Sequence, residues 1–238
     1  NLMSWAFYDD DTGWKTAKQL VKKAQEGVKV RIIVDGQVAA RSHHHETLDH
    51  MEANGVEIVR WRNPNRLSDG QHRKVMIVDG TEAIAGGMNV GDVYSHGGPA
   101  GEQKWRDTDV LIQGPAVNES SKLFFDIWNE QIQTHNLNYA TVDVDAVDSQ
   151  DPLPGESNVA VVNHSPGPDG DAHILLATLK AIEGATESVD IENAYFIQTP
   201  ALREALLSAL ARGVKVRLLT NSGESVDEPI VSAPILAS

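Results

Sequence analysis

Apolar residues recur at helical spacing through Ala17, Leu20, Val21 and Ala24. They give way at Gly27 to a mostly apolar run, Val28-Lys29-Val30-Arg31-Ile32-Ile33, that suits a strand. Helix, glycine stop, strand is an α/β unit, and the pattern continues in that style. A first strand is expected near residues 4–8. Ser42 is placed to cap a helix over 42–53, which Asn54-Gly55 ends. A strand follows at 56–60, and Asn63-Pro64-Asn65 turns the chain. Residues 74–78 and 83–85 read as strands joined by an Asp79-Gly80 hairpin turn. Another strand is expected at 110–112. A helix over 115–133 should then turn Phe124, Phe125 and Trp128 to the core.

The unit recurs. Gly27-Val28-Lys29-Val30-Arg31-Ile32-Ile33 reappears as Gly213-Val214-Lys215-Val216-Arg217-Leu218-Leu219, an offset of 186 residues, and Leu202, Leu206, Leu207 and Leu210 form the helix before it. The short string is weak alone; its recurrence in matching context is stronger. Between the copies, 139–156 carries Asp143, Asp145, Asp148, Asp151 and Glu156 with no Lys or Arg. It reads as a solvated linker, since it lacks the glycine and terminal glutamate of a calcium loop. The expected organisation is a first lobe at 1–138, an acidic linker at 139–156 and a partial second lobe at 157–238. The second lobe opens with a strand at 159–162, a helix at 172–182 and a strand at 189–192.

The chain has 238 residues, no cysteine and a net charge of −14. No disulfide framework or thiolate metal site is available, which fits a reducing compartment. No apolar run reaches the ~18 residues that span a bilayer, and no signal peptide is visible at Asn1. The expected location is cytoplasmic or peripheral to a membrane. Bulk binding of nucleic acid is not expected from so acidic a chain. The charge is uneven, however: Arg60, Arg62, Arg66, Arg73 and Lys74 face the single acid Asp69. A local positive site there would focus a phosphate.

That stretch leads into His72-Arg73-Lys74-Val75-Met76-Ile77-Val78-Asp79, and Gly86-Gly87-Met88-Asn89 follows. In a strand, residues two apart share a face, so His72 and Lys74 point the same way. One is suited to nucleophilic or proton-transfer chemistry, the other to holding an anion. Asp79 has the opposite parity and reads as structural, fixing the hairpin turn. Asn89 suits either an amide donor or a turn after the glycine pair. Gly86 and Gly87 would let backbone approach closely. Consecutive His43, His44 and His45 cannot all face one metal, and adding His50 does not complete a zinc pattern. The stretch from Ser95 to Gly101 lacks the setting of a P-loop and reads as a mobile loop beside the site.

At these residues the chain resembles the phospholipase D superfamily. The match is HxKxxxxD with its trailing GGxN, then Trp105-Arg106-Asp107-Thr108-Asp109-Val110, Gly114-Pro115-Ala116-Val117 and Phe125-Asp126-Ile127-Trp128. Bacterial cardiolipin synthases and related phospholipases are the branch it looks most like. The resemblance implies a phospholipase D-type α/β fold, a β-sheet flanked by helices, with two homologous lobes of which the second is incomplete here. It implies covalent catalysis in which His72 attacks phosphorus, Lys74 and Asn89 hold the phosphoryl oxygens, and Asp107 orients the imidazole, with Asp109 as the fallback. No metal or other cofactor is needed. The substrate would be a phospholipid head group, and the acceptor water or an alcohol. A second histidine would protonate the leaving alcohol. The repeat puts it near position 258, past Ser238, so it would come from a missing chain segment or from a homodimer partner. Tyr195 and Phe196 match an aromatic segment near the family's second-lobe site, or else pack in the core. The rival readings are a nuclease or other phosphodiesterase of the same superfamily, and a catalytically silent phosphate-binding scaffold.

Overall fold

In a computed structural model, which describes residues 1–96, 104–147, 155, 157–164 and 170–222, the chain divides into two compact units, 1–161 and 162–238. The first is built on a six-stranded sheet in the order β3-β2-β1-β4-β5-β6. Its strands are β1 (Leu2–Ser4), β2 (Arg31–Asp35), β3 (Glu57–Trp61), β4 (Val75–Val78), β5 (Glu82–Gly86) and β6 (Asp109–Gln113). β1, β2 and β3 are parallel, and β4, β5 and β6 alternate in direction from β1 outward. Residue parity decides what packs on each face. Ile32, Val34 and Ile58 face α1 (Asp11–Gln25) and α2 (Glu46–Ala53), with Ala17, Val21, Leu48 and Met51. After the one-turn helix α3 (Asp92–Ser95) comes α4 (Ala116–His135), and Met3, Ile33, Val59 and Ile77 face it, with Phe124 and Trp128.

Local chemistry sets the element ends. Asp10 caps α1 by accepting from the Gly13 backbone N–H at 2.9 Å. Gly27 ends the helix at φ 95°, a conformation glycine adopts without penalty. The β4–β5 turn has Asp79 at φ 51° and Gly80 at φ 69°, the paired positive angles of a type I′ hairpin. α2 differs from expectation. It begins at Glu46, and Ser42 is not its cap. Asp9, from the segment after β1, accepts from the backbone N–H groups of His45, Glu46 and Thr47 and from the Thr47 hydroxyl. A carboxylate at a helix N-terminus is favoured by orphan donors and the helix dipole alike.

Two other expectations are corrected. The first strand ends at Ser4, and residues 5–8 leave the sheet to run beside the segment after the glycine pair. Residues 139–147 are not a free linker. Tyr139, Val142, Val144 and Val147 pack on the α4 core, Trp128 donates its indole N–H to the Ala140 carbonyl, and Asn129 bonds both backbone groups of Val142. Four apolar side chains spaced among the acids outweigh the solvation that the acids favour. Asp148, Asp151 and Glu156 lie outside the described residues.

The second unit contains α5 (His173–Gly184), β7 (Ser188–Glu192), α6 (Pro200–Ala211) and β8 (Lys215–Leu219). β7 and β8 are parallel, as β1 and β2 are. Thr199 caps α6, Pro200 opens it, and Gly213 follows it at φ 85°. The strand expected at 159–162 has no pairing among the described residues. Phe196 is buried with Ile182, Leu202, Leu206 and Ala209, while Tyr195 is exposed. Among the described residues no helix is long and apolar enough to cross a membrane.

Candidate active site

Strand directions bring the motif together. The C-terminal ends of β1, β2 and β5 and the N-terminal ends of β4 and β6 meet at one end of the sheet. Ligands of open α/β sheets commonly sit beyond the carboxyl ends of parallel strands. Trp5, Asp35, His72, Lys74, the glycine pair and Asp107 all belong to this end.

His72 and Lys74 are together. The Lys74 ammonium lies 3.0 Å from each ring nitrogen of His72 and 2.8 Å from its carbonyl oxygen. A neutral imidazole offers one acceptor nitrogen, so the ammonium serves one at a time. Lys74 is 9% exposed. Burial pushes its pKa down to about 8, against the Asp107 carboxylate, which favours the charged form. His72 is lowered below the usual histidine range, first by burial and then by the Lys74 charge, while Asp35 opposes both. Its imidazole is therefore neutral at pH 7 and holds the lone pair that nucleophilic attack needs.

Asn89 sits at this end of the sheet with its side chain engaged. Its carbonyl oxygen accepts from the Ala6 N–H at 3.0 Å and the Ser4 hydroxyl at 3.3 Å, and its amide donates to the Tyr94 hydroxyl at 2.8 Å. The second amide hydrogen remains for another acceptor. Gly86 and Gly87 serve close approach of β6 and the segment before it. A Cβ on Gly86 would meet Thr108 and Asp109, and one on Gly87 would collide with the Asp107 carboxylate. Asp107 accepts from the Thr108 N–H at 2.8 Å and acts on Lys74 through its charge; the carboxylate whose charge reaches His72 is Asp35. Asp109 accepts from the Met88 N–H at 3.3 Å. Asp79 is in the hairpin turn at the far end of β4.

Three residues that the sequence reading passed over belong to this site. Asp35 is buried, and its carboxylate accepts from the backbone N–H groups of Gln37, Val38 and Gln71 at 2.9–3.0 Å. Gln71 is buried as well. It donates to the Ser4 and Ile33 carbonyls and accepts from the Arg73 N–H, so both neighbours of His72 are tied down. Trp5 lies against His72 with ring centroids 5.2 Å apart and the planes tilted, and the Lys74 ammonium is 5.7 Å from its ring centroid. A charged residue closing the apolar run RIIVD was the visible hint for Asp35. Nothing local marked Trp5.

Of the basic stretch, Lys74 is in the site, while Arg60 and Arg66 are engaged with acids of their own. Arg60 pairs with Asp49 and Glu52, each at 2.8 Å, and Arg66 with Asp69 at 3.4 Å. Paired charges at these distances are spent on their partners. Residues 97–101 of the expected mobile loop lie outside the described residues. His44 bonds the Phe7 carbonyl and His45 approaches Asp49. Among the described residues no group of three or more His, Cys, Asp or Glu side chains is arranged to hold a metal ion.

The family model described as "Cardiolipin synthase, PLD-like domain" matches residues 2–126 and 178–235. Cardiolipin synthase 2 of Staphylococcus epidermidis is 30% identical over 246 aligned residues, covering 97% of this chain and 47% of that protein. The major cardiolipin synthase ClsA of Bacillus subtilis is 32% identical over 227, covering 92% of this chain and 45% of that one. The chain thus spans about half the length of the curated relatives it matches. Among solved structures, phosphatidylserine synthase of Haemophilus influenzae aligns with a TM-score of 0.66 at 13% identity, over 95% of this chain and 57% of that one. That likeness concerns the fold.

Proposed function

This chain belongs to the cardiolipin synthase, phospholipase D-like domain family, and we propose that it supplies the nucleophile of a phosphodiesterase or phosphatidyltransferase acting on phospholipid head groups. The observation that carries the reading is the neutral His72, open to solvent, within 3.0 Å of the buried Lys74 ammonium.

In the first step a His72 ring nitrogen attacks phosphorus. An N–P bond forms, the P–O bond to the leaving alcohol breaks, and that alcohol takes a proton from a second acid. In the second step water or another alcohol attacks phosphorus, gives up its proton to the same group, and releases His72 neutral. Dividing one displacement into two is covalent catalysis. Lys74 opposes the charge on the phosphoryl oxygens from a fixed, buried position. Without a phosphate, the ammonium donates to the imidazole. An arriving phosphoryl oxygen competes for those donors and frees the ring nitrogen for attack. The remaining Asn89 N–H would add a donor to the phosphoryl group. Asp107 keeps Lys74 charged, and Asp35 and Gln71 fix the backbone on either side of the nucleophile. The second acid is proposed to be a histidine of a matching motif, from further along the polypeptide or from a second copy of it.

The test is turnover of phosphatidylglycerol by the intact polypeptide. His72→Ala should reduce kcat/KM by on the order of 10³-fold or more. Unchanged turnover would exclude His72 as nucleophile. Single-stranded DNA offered in competition should leave the rate unaltered. Cleavage of the DNA in preference to the lipid would move the reading to a nuclease.

A further inference from the structure

We propose that Trp5 is a positioning residue of the site, an aromatic wall that holds Lys74 and His72 in their working arrangement. The inference deepens the function proposed above and rests on it for the role of the pair.

Trp5 occupies the first position after β1, where the chain leaves the sheet. Its neighbours on both sides are held by one side chain: Asn89 accepts from the Ser4 hydroxyl and from the Ala6 N–H. The one Ser4 hydroxyl hydrogen is shared between the Asn89 oxygen at 3.3 Å and the Ala6 carbonyl at 2.8 Å, and the shorter contact closes the bend around Trp5. The segment is anchored further on by the Val90 N–H donating to Ala6 and the Tyr8 N–H donating to Val90. The backbone of Trp5 is thus fixed from the GGxN loop, and its ring is delivered to the HxK pair. The indole meets the imidazole at 54°, with centroids 5.2 Å apart. Its face is 5.7 Å from the Lys74 ammonium, within the range of cation–π attraction.

Such a ring has two effects that a structural apolar residue would not combine. It removes water from one side of both groups, which favours the neutral imidazole. It also offers the ammonium a negative face, which limits the loss of charge that burial imposes. The charges facing the pair are Asp35 and Lys74 itself on His72, and Asp107 on Lys74. The motif asparagine then acts twice, once through its remaining N–H and once through Trp5.

The test is a pH titration of the His72 imidazole and the Lys74 ammonium by NMR in the intact polypeptide without substrate, beside kcat/KM on phosphatidylglycerol. Burial is the largest influence on Lys74, so admitting water should outweigh the loss of ring attraction. In Trp5→Ala the Lys74 midpoint should rise from about 8 toward the ordinary 10.5, and the His72 midpoint toward 6.5. kcat/KM should fall by roughly 10-fold or more, the scale of a misplaced reacting group. Trp5→Phe keeps an apolar ring and should leave both midpoints and the rate near wild type. Should Trp5→Ala fold poorly, Trp5→Gln keeps more volume and carries the same expectation. Unchanged midpoints in a folded Ala or Gln variant would overturn the proposal. If the midpoints move while His72→Ala retains turnover, the contact stands and the nucleophile assignment falls.

Discussion

Lys74 sets an upper pH limit on the chemistry. Its pKa is pushed down to about 8 by burial, so its ammonium is present below that pH and lost above it. kcat/KM reports the ionisations of the free enzyme. It should therefore decline above about pH 8. Arginine stays charged in that range, so Lys74→Arg should abolish the alkaline decline even if its plateau is lower. A pH–rate profile with the same alkaline limb in both proteins would assign that limb to another group. Much of this residue chemistry was legible in sequence. The two-residue spacing brought His72 and Lys74 together as expected, although β4 begins only at Val75, and Asp79 lies in the turn at the far end of β4. That Asp35, Gln71 and Trp5 meet at the motif was not legible, because each reaches it through chain separated by 36 residues or more, or through a buried turn with no periodic mark. The division of labour between Asp35 and Asp107 was equally hidden. It depends on which carboxylate's charge reaches His72 and which reaches Lys74, and spacing does not carry that.

At the scale of elements, periodicity and glycine stops located α1, β2, β3, α4 and α6 to within a few residues, since those signals are local. α2 shows where local reading stops. Ser42 had the right chemistry for a cap, but Asp9 holds the helix N-terminus from 36 or more residues away. The carboxylate reaches three amides, which outweigh its burial and hold its pKa below the usual range. A depressed folded value means the cap's stabilisation is fully present above the unfolded pKa of ~3.9 and is lost as pH falls through the folded one. Asp9→Ala should cost about 1–2 kcal/mol. Hydrogen exchange at the His45, Glu46 and Thr47 amides should quicken accordingly. Exchange as slow as wild type would mean that another group caps α2. The same carboxylate tethers the segment that carries Trp5, so helix capping and site construction share one stretch of chain.

At the scale of the whole molecule, two features of the sequence were readable and one was misleading. The recurrence of GVKVR announced paired helix–strand units, and both copies form parallel strands after a glycine of positive φ. The net charge of −14 does not describe the candidate site, where a lysine and a neutral histidine meet beside the Asp35 and Asp107 carboxylates, so the placement of single charges decides what binds there. Acidity alone misled at 139–147, where the apolar residues between the acids dock that segment on α4. The central claim is that His72 becomes covalently attached to phosphorus. The most direct measurement is peptide mass spectrometry of the intact polypeptide, quenched at alkaline pH during turnover of phosphatidylglycerol. The account predicts a phosphatidyl adduct on His72 that is absent in His72→Ala. Turnover with no adduct, or an adduct confined to another residue, would contradict it.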